Sequence, residues 1–161
     1  MEALLTWLQS TPLGELMRSM GVWTYGVVNL IHILSVATLF GSVLVLDLRM
    51  LGAWRRVPLA ALEQPTIPLA VAGFCFAVLS GVCILATNAT DYRGNPFLVI
   101  KFVAIALGLL NVALVASLPA WRSRHAEPLA PNHRRTLALA GGTSLACWVT
   151  AAAAGRLIGY W

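Results

Sequence analysis

The chain alternates between long apolar runs and short polar stretches. Four apolar runs are long enough to cross a bilayer. They span about residues 22–46, 67–87, 97–118 and 136–158. Each exceeds the ~20 residues that span a hydrocarbon core about 30 Å thick, at about 1.5 Å rise per residue. The pattern predicts an all-α integral membrane protein in which residues 21–161 form a four-helix transmembrane bundle.

Residues 1–20 show a different pattern, that of an amphipathic segment. Thr11-Pro12 favours the start of a helix, and the apolar residues that follow fall on one face of it: Leu13, Leu16, Met17 and Met20. The stretch has no basic region and no small-residue cleavage site, so it does not resemble a cleaved signal peptide. We expect an N-terminal amphipathic helix that lies at the membrane interface before the first span.

Helix-terminating residues lie between the apolar runs. Asn95-Pro96 combines an N-cap with proline at the first helical position, and Thr66-Ile67-Pro68 predicts a similar start for the second span. Pro119 closes the third span. The polar, basic stretch 120–135 then predicts a loop before the fourth span.

Composition strengthens the membrane prediction. Of 161 residues, 59% are hydrophobic and only 11% are charged, whereas soluble domains carry about 25% charged residues. The net charge of +5 comes from cations in loops and at helix ends. This distribution fits contact with anionic lipid headgroups. It argues against a protein that binds nucleic acid.

The distribution of basic residues predicts an orientation. The first and third loops carry Arg49, Arg55, Arg56, Arg122, Arg124, Arg134 and Arg135. The opposite side carries fewer cations, namely Arg18, Arg93, Lys101 and Arg156. The positive-inside rule therefore predicts a bacterial inner membrane protein with both termini on the periplasmic side.

One ionisable residue, His32, interrupts the first apolar run. It lies about ten residues into the span, about 15 Å from its outer end. A charge at that depth costs about 2.5 kcal/mol or more, and a neutral imidazole still needs partners. His32 is therefore either hydrogen-bonded to Asn29, Ser35 or another helix, or it is a metal or haem b ligand. A proton relay is a third interpretation.

A second ligand for a metal at His32 is not evident from the sequence. His125 and His133 fall in the third loop, half a bilayer away from His32. The second ligand would therefore be absent, be Cys75 or Cys147, or come from another subunit. The cysteines have no C-x-x-C spacing, which favours apolar packing over a disulfide framework.

Three cations are predicted to lie above His32, near the outer interface. Arg93 is in the second loop, Lys101 lies about five residues into the third span, and Arg156 lies in the last turn of the fourth. They either extend towards lipid phosphates or form a clamp for the propionates of a haem that His32 binds. At the inner end of the first span, Asp47 and Arg49 are each expected to pair with another element, such as Arg135 or a loop carbonyl.

Two stretches suggest a family resemblance. "LIHILSVATLFGSVLVLDLRMLG" and "NPFLVIKFVAIALGLLNVAL" resemble small four-helix bacterial membrane proteins of unassigned function. They are also distantly similar to the CopD copper-resistance family, through His32 with Gly41 and through Lys101 with Asn111. The HemJ haem-biosynthesis proteins share this layout. The resemblance implies a haem b or copper site in the membrane.

The sequence therefore leads to three hypotheses of function. The first is a haem b-binding membrane protein in electron transfer, with His32 as the iron ligand and with Lys101, Arg156 and Arg93 near the propionates. The second is a CopD-like copper-handling protein, and the third is a non-catalytic membrane anchor. The expected partners are the lipid bilayer and, under the first hypothesis, a redox protein, a quinone or a second copy of the chain.

Overall fold

The computed structural model describes residues 2–125 and 130–161. Within those ranges the chain is helical, with short connections. The α-helices are α1 (Glu2–Gln9), α2 (Pro12–Ser19), α3 (Gly21–Leu51), α4 (Leu59–Thr87), α5 (Pro96–Ser117), α6 (Pro119–Arg122) and α7 (Pro131–Leu157). Short 3₁₀ helices cover Ala89–Tyr92 and Ile158–Tyr160.

Four of these helices, α3, α4, α5 and α7, are long and apolar enough to cross a membrane. This confirms the predicted all-α multi-pass membrane fold. Helix α3 packs against α4 on one side and α7 on another, and α7 packs against α5. Because short connections join successive spans, neighbouring helices run antiparallel.

The antiparallel order creates two ends with different chemistry. The terminal end comprises residues 2–20, 88–95 and 158–161. The arginine end comprises residues 49–58, 118–125 and 130–135, and it collects the basic residues of the first and third loops. Which end faces the cytoplasm stays a prediction, as does the bacterial inner membrane.

Small residues allow the helices to approach closely. A Cβ atom on Gly73 of α4 would lie 2.7 Å from the Leu39 backbone nitrogen and 2.9 Å from the Ser35 carbonyl oxygen of α3. A Cβ on Gly141 of α7 would lie 3.0 Å from the Asp47 carbonyl oxygen. The small-residue stripes therefore serve helix packing, as is common between membrane helices.

Local sequence signals explain several helix ends. The Asn95 side chain accepts a hydrogen bond from the Phe97 N–H at 2.9 Å, which confirms the predicted start of α5. Helix α3 ends at Gly52, whose φ of 109° is left-handed. The N–H groups of Gly52 and Ala53 donate to the Arg49 and Leu48 carbonyls, the pattern of a glycine-terminated helix.

The predicted start of the second span at Thr66-Ile67-Pro68 is wrong. Helix α4 begins at Leu59 and continues through Pro65 and Pro68. The preceding residues 59–64 are mostly good helix formers, so the helix starts before the prolines. Each proline removes one helical N–H, and the residues four positions earlier, Ala61 and Gln64, are exposed. Their carbonyls can therefore bind water at the end of the bundle.

The predicted loop 120–135 is also wrong at both of its ends. Residues up to Arg122 belong to α6, and α7 already begins at Pro131, where proline suits the first helical turn. His133, Arg134 and Arg135 are therefore helical residues. The central part of the predicted loop, 126–129, lies outside the described residues.

The N-terminal segment forms two short helices that dock onto the terminal end. Leu5 and Met17 are buried, with 4% and 5% of their surface exposed. The Arg18 guanidinium donates to the carbonyl oxygens of Thr87 at 3.1 Å and Ala86 at 3.5 Å. These carbonyls belong to the last turn of α4, where helical partners are missing, so Arg18 caps that helix.

Candidate functional site

The imidazole of His32 contacts a neighbouring helix within the membrane-spanning part of the bundle. Its Nδ1 atom lies 3.0 Å from the hydroxyl oxygen of Ser80 on α4. Of the partners expected for a structural histidine, the neighbouring helix is therefore the one observed. Ser80 itself is buried, with 6% of its surface exposed.

The hydrogen bonds of Ser80 provide the basis for assigning the tautomer of His32. The Ser80 hydroxyl donates to the Phe76 carbonyl oxygen at 2.5 Å. A serine hydroxyl has only one proton, so in this arrangement its oxygen accepts from His32. We therefore assign the proton to Nδ1 and the free lone pair to Nε2.

Nε2 has no hydrogen-bond partner among the described side chains. It is not one of the enclosed unpaired atoms, which in those residues are Asp47 Oδ2 and Trp148 Nε1. The ring packs closely against Gly81, where a Cβ would lie 3.1 Å from His32 Cε1. Glycine at this position therefore makes room for the imidazole between α3 and α4.

Lys101 lies in the second turn of α5, and its side chain packs against α7. A Cβ built on Gly155 of α7 would lie 3.5 Å from the Lys101 Nζ atom. In the part of the chain that the structure describes, Nζ has no hydrogen bond or ion pair. Lys101 is therefore free to bind an anion.

The other two predicted cations have partners of their own at the terminal end. Arg93 donates to the Thr6 hydroxyl on α1 at 2.7 Å. Arg156 donates to the Tyr160 hydroxyl, and its guanidinium carbon lies 4.8 Å from the centre of the Tyr160 ring. Of the three predicted cations, Arg93 and Arg156 therefore have partners among the described residues, and Lys101 has none.

A second histidine makes the same kind of contact in a different setting. At the arginine end, His133 Nδ1 lies 2.8 Å from the Ser123 hydroxyl oxygen, and that hydroxyl donates to the Ala120 carbonyl. The contact itself is therefore not specific to a ligand site. What distinguishes His32 is its position in an apolar span, where water is not available to the second nitrogen.

No multi-residue metal site is present in the described residues. Within residues 2–125 and 130–161, no group of three His, Cys, Asp or Glu side chains could hold a metal ion. Cys75, Cys83 and Cys147 are free thiols in the structure.

Asp47 and Arg49, the polar residues near the arginine end of α3, differ in their contacts. Arg49 donates from Nε to the Val57 carbonyl oxygen at 2.6 Å, which confirms the expected bond to a loop carbonyl. Asp47 is 3% exposed and makes no ion pair with Arg135. The ion pair in the described residues joins Glu63 to Arg124, and this pairing raises the pKa of the Arg124 guanidinium above its ordinary value.

Sequence reasoning missed Ser80 as a site residue. A weak signal was available, since Ser80 is the sole serine in the apolar run 67–87. The neighbouring Gly81 belongs to a stripe with Gly73 and Ala77 at four-residue spacing, which marks the face of α4 that meets α3.

Comparison with known families adds a classification. The model of a family of unknown function, DUF6644, matches residues 4–161. The chain belongs to this family. The match covers the N-terminal helices as well as the four spans, so the DUF6644 unit includes the docked segment α1–α2.

No curated protein and no solved structure matches the chain. These comparisons therefore give no support for the resemblance to CopD and HemJ proteins. Membership of the DUF6644 family agrees with the resemblance to small membrane proteins of unassigned function, and it does not specify a ligand.

Proposed function

We propose that this DUF6644 protein is a small membrane protein that binds haem b through His32 Nε2 and takes part in electron transfer. The observation that carries the proposal is the hydrogen bond from His32 to Ser80. It favours the tautomer with the proton on Nδ1, in which Nε2 inside the apolar span has a lone pair for a metal ion. Haem-ligating and metal-ligating histidines commonly have this arrangement, in which the second ring nitrogen donates to a fixed partner.

The charges near His32 support a ligand that has both an apolar plane and carboxylates. Lys101 has no anionic partner among the described residues, and it lies between His32 and the terminal end. It is therefore the first candidate for binding a propionate. Arg156 and Arg93 would have to exchange their bonds to Tyr160 and Thr6 before taking the same role.

Each residue of the proposed site has a distinct task. His32 would bind the iron, Ser80 would hold the ring in one orientation, and the apolar surfaces of α3 and α4 would exclude water. Bound haem supplies one-electron redox chemistry. The electron donor would be a redox partner protein or a quinone that enters from the bilayer.

The second axial position requires a group from elsewhere. His32 is the one histidine in the apolar interior of the spans, since His133 lies in the first turn of α7 at the arginine end and His125 precedes that helix. A second copy of the chain would supply another His32, which favours a homo-oligomer. Cys75 on α4 and Cys147 on α7 are the alternatives within one chain.

The CopD-like alternative has less support. Copper sites use several soft or imidazole ligands, and no cluster of three such residues is present in the described residues. A pure membrane anchor is the outcome that remains if neither cofactor binds.

The test is the haem content of the full chain purified in mild detergent. Wild-type protein should contain haem b, seen as a Soret band and as a pyridine haemochrome. His32→Ala should lose it while still inserting, because one side chain does not remove four apolar spans. His133→Ala is the matched control, because it removes the other serine-bonded imidazole and should keep the haem. Wild-type protein without haem, or His32→Ala with full haem content, would contradict the proposal.

A further inference from the structure

An open cleft at the arginine end lies between the end of α3 and the start of α7. Its volume is about 680 Å³. Arg49, Arg55, Arg134 and Arg135 line it together with apolar side chains that include Met50, Leu59 and Leu137. The size is in the range of small-molecule sites, which measure roughly 300–1,000 Å³. A charged rim over an apolar floor suits an amphiphilic ligand.

The guanidinium groups of this cleft retain free hydrogen-bond donors. Arg49 and Arg55 each use Nε to bind a carbonyl of the α3–α4 turn, at 2.6 Å and 3.2 Å. These bonds hold the side chains in place and leave their terminal nitrogens unused. Arg134 and Arg135 make no side-chain hydrogen bond or ion pair with the described residues. Planar guanidinium forks are well suited to binding phosphate oxygens.

No carboxylate in the described chain neutralises the cleft. Glu63 is paired with Arg124, which is not part of the lining. Asp47 lies one turn deeper on α3, is almost fully buried, and does not line the cleft either. Several positive charges therefore share one concave surface, an arrangement that a bound anion would relieve.

The start of α7 adds to the positive potential. Its N-cap, Ala130, provides no side-chain acceptor, and the first turns contain Arg134 and Arg135 where acidic residues are usual. Cations at the positive end of a helix dipole repel it, so this feature agrees with a role in anion binding.

We propose that the cleft binds the phosphate headgroup of an anionic phospholipid. The arginines would hold the phosphate, and Leu51 and Ala138, which also line the cleft and are not fully buried, would contact the glycerol and the upper acyl chains. The adjacent surface is suitable for lipid, because Leu51 and Trp54 are 43% and 54% exposed and tryptophan is enriched at membrane interfaces. An apolar floor next to such a surface favours a lipid over free phosphate. This site is independent of the proposed haem site.

The experiment measures lipid binding to the full chain in a zwitterionic detergent. Phosphatidylglycerol should raise the thermal unfolding midpoint, whereas phosphatidylcholine at the same concentration should not. Arg134→Gln with Arg135→Gln should weaken phosphatidylglycerol binding about 25-fold, since each arginine near an anionic lipid contributes about a fivefold factor. Arg56→Gln with Arg122→Gln is the matched control, because both residues are exposed at the same end but do not line the cleft.

Two results would overturn the proposal. Equal weakening by the two double variants would show that diffuse charge, not the cleft, attracts the lipid. Stabilisation by inorganic phosphate equal to that by phosphatidylglycerol would identify a free-anion site instead. If the Arg134/Arg135 variant does not fold, Arg55→Gln provides the same comparison, since it removes a rim charge without altering α7.

Discussion

The two ends of the bundle use cations in opposite ways. At the terminal end, Arg18, Arg93 and Arg156 each bind a neutral group of the same chain: backbone carbonyls, the Thr6 hydroxyl and the Tyr160 hydroxyl. At the arginine end, Arg134 and Arg135 line an open cleft and have no side-chain partner among the described residues. The first end uses positive charge to fasten its own helices, and the second presents it to a ligand.

This difference changes how basic residues in a membrane protein should be interpreted. The positive-inside rule treats all loop arginines as equivalent markers of orientation. Here the contacts separate these arginines into two kinds. Some, such as Arg18, stabilise the fold, and others, such as Arg134, remain available to bind a ligand. The histidines divide in a similar way, because His133 can bind water at the arginine end while His32 lies in an apolar span.

The largest predicted effect concerns the packing of α1 and α2 against the terminal end of the bundle. Gly14→Ala should release α1 and α2, because its Cβ would lie 2.5 Å from the Gln9 carbonyl oxygen and 2.8 Å from that of Ala86. Both are backbone atoms that cannot move aside, so we expect a cost of about 1–3 kcal/mol or more. Limited proteolysis should then cut near residues 9–20.

The matched control for this change is Gly26→Ala, since no atom lies within 4 Å of its Cβ position. It should leave the proteolysis pattern unchanged. If Gly14→Ala resists cleavage as well as Gly26→Ala does, the N-terminal helices are not fastened in the way described. The arginine cleft should be unaffected by either variant.

A medium effect is expected from the two serine–histidine pairs. Ser80→Ala should weaken haem retention about 10- to 100-fold, the usual consequence of losing the partner that orients a ligating histidine. It should also raise the midpoint potential, because His32 becomes a weaker electron donor to the iron. Ser123→Ala removes the corresponding partner of His133 and should change neither quantity. Equal effects of the two variants would assign both serines a general packing role.

The smallest effect is a pH dependence at the terminal end. Burial, with smaller contributions from Tyr25 and Asp91, raises the pKa of the Tyr92 phenol above its ordinary value of 10.0. The folded chain therefore keeps this proton when the unfolded chain loses it. The contribution to stability is intact below pH 10.0 and is lost as the pH rises through the raised pKa.

Thermal unfolding at increasing alkaline pH measures this contribution. Tyr92→Phe should lose less stability than the wild type above pH 10.0, because it has no phenol to ionise. Identical alkaline curves for Tyr92→Phe and the wild type would contradict the assignment.

Much of the fold could be predicted from strong local signals. The four spans follow from uninterrupted apolar length, and α5 starts where Asn95-Pro96 predicts. The start of α4 could not be placed in this way, because Pro65 and Pro68 are usually taken as helix boundaries. They are tolerated inside α4 because the carbonyls they leave without partners are near the exposed end of the bundle.

The candidate site was only partly predictable. His32 and Lys101 are conspicuous in the sequence because an ionisable residue in an apolar run is costly. Ser80 is not conspicuous, because a serine in a helix can form a hydrogen bond with a carbonyl of its own helix. Only the rotation of α4 against α3 shows that Ser80 also meets His32. The cleft arose from residues about 80 positions apart, Arg49 to Arg135, which only the folded bundle brings together.

The central claim is that the chain binds two different ligands, haem at His32 and an anionic lipid at the arginine end. Native mass spectrometry of the purified full chain counts both ligands in one spectrum. We predict that His32→Ala loses the haem mass and keeps phosphatidylglycerol, while Arg134→Gln with Arg135→Gln loses the lipid and keeps the haem. Wild-type protein that carries no haem, or a His32→Ala spectrum identical to that of the wild type, would contradict the account.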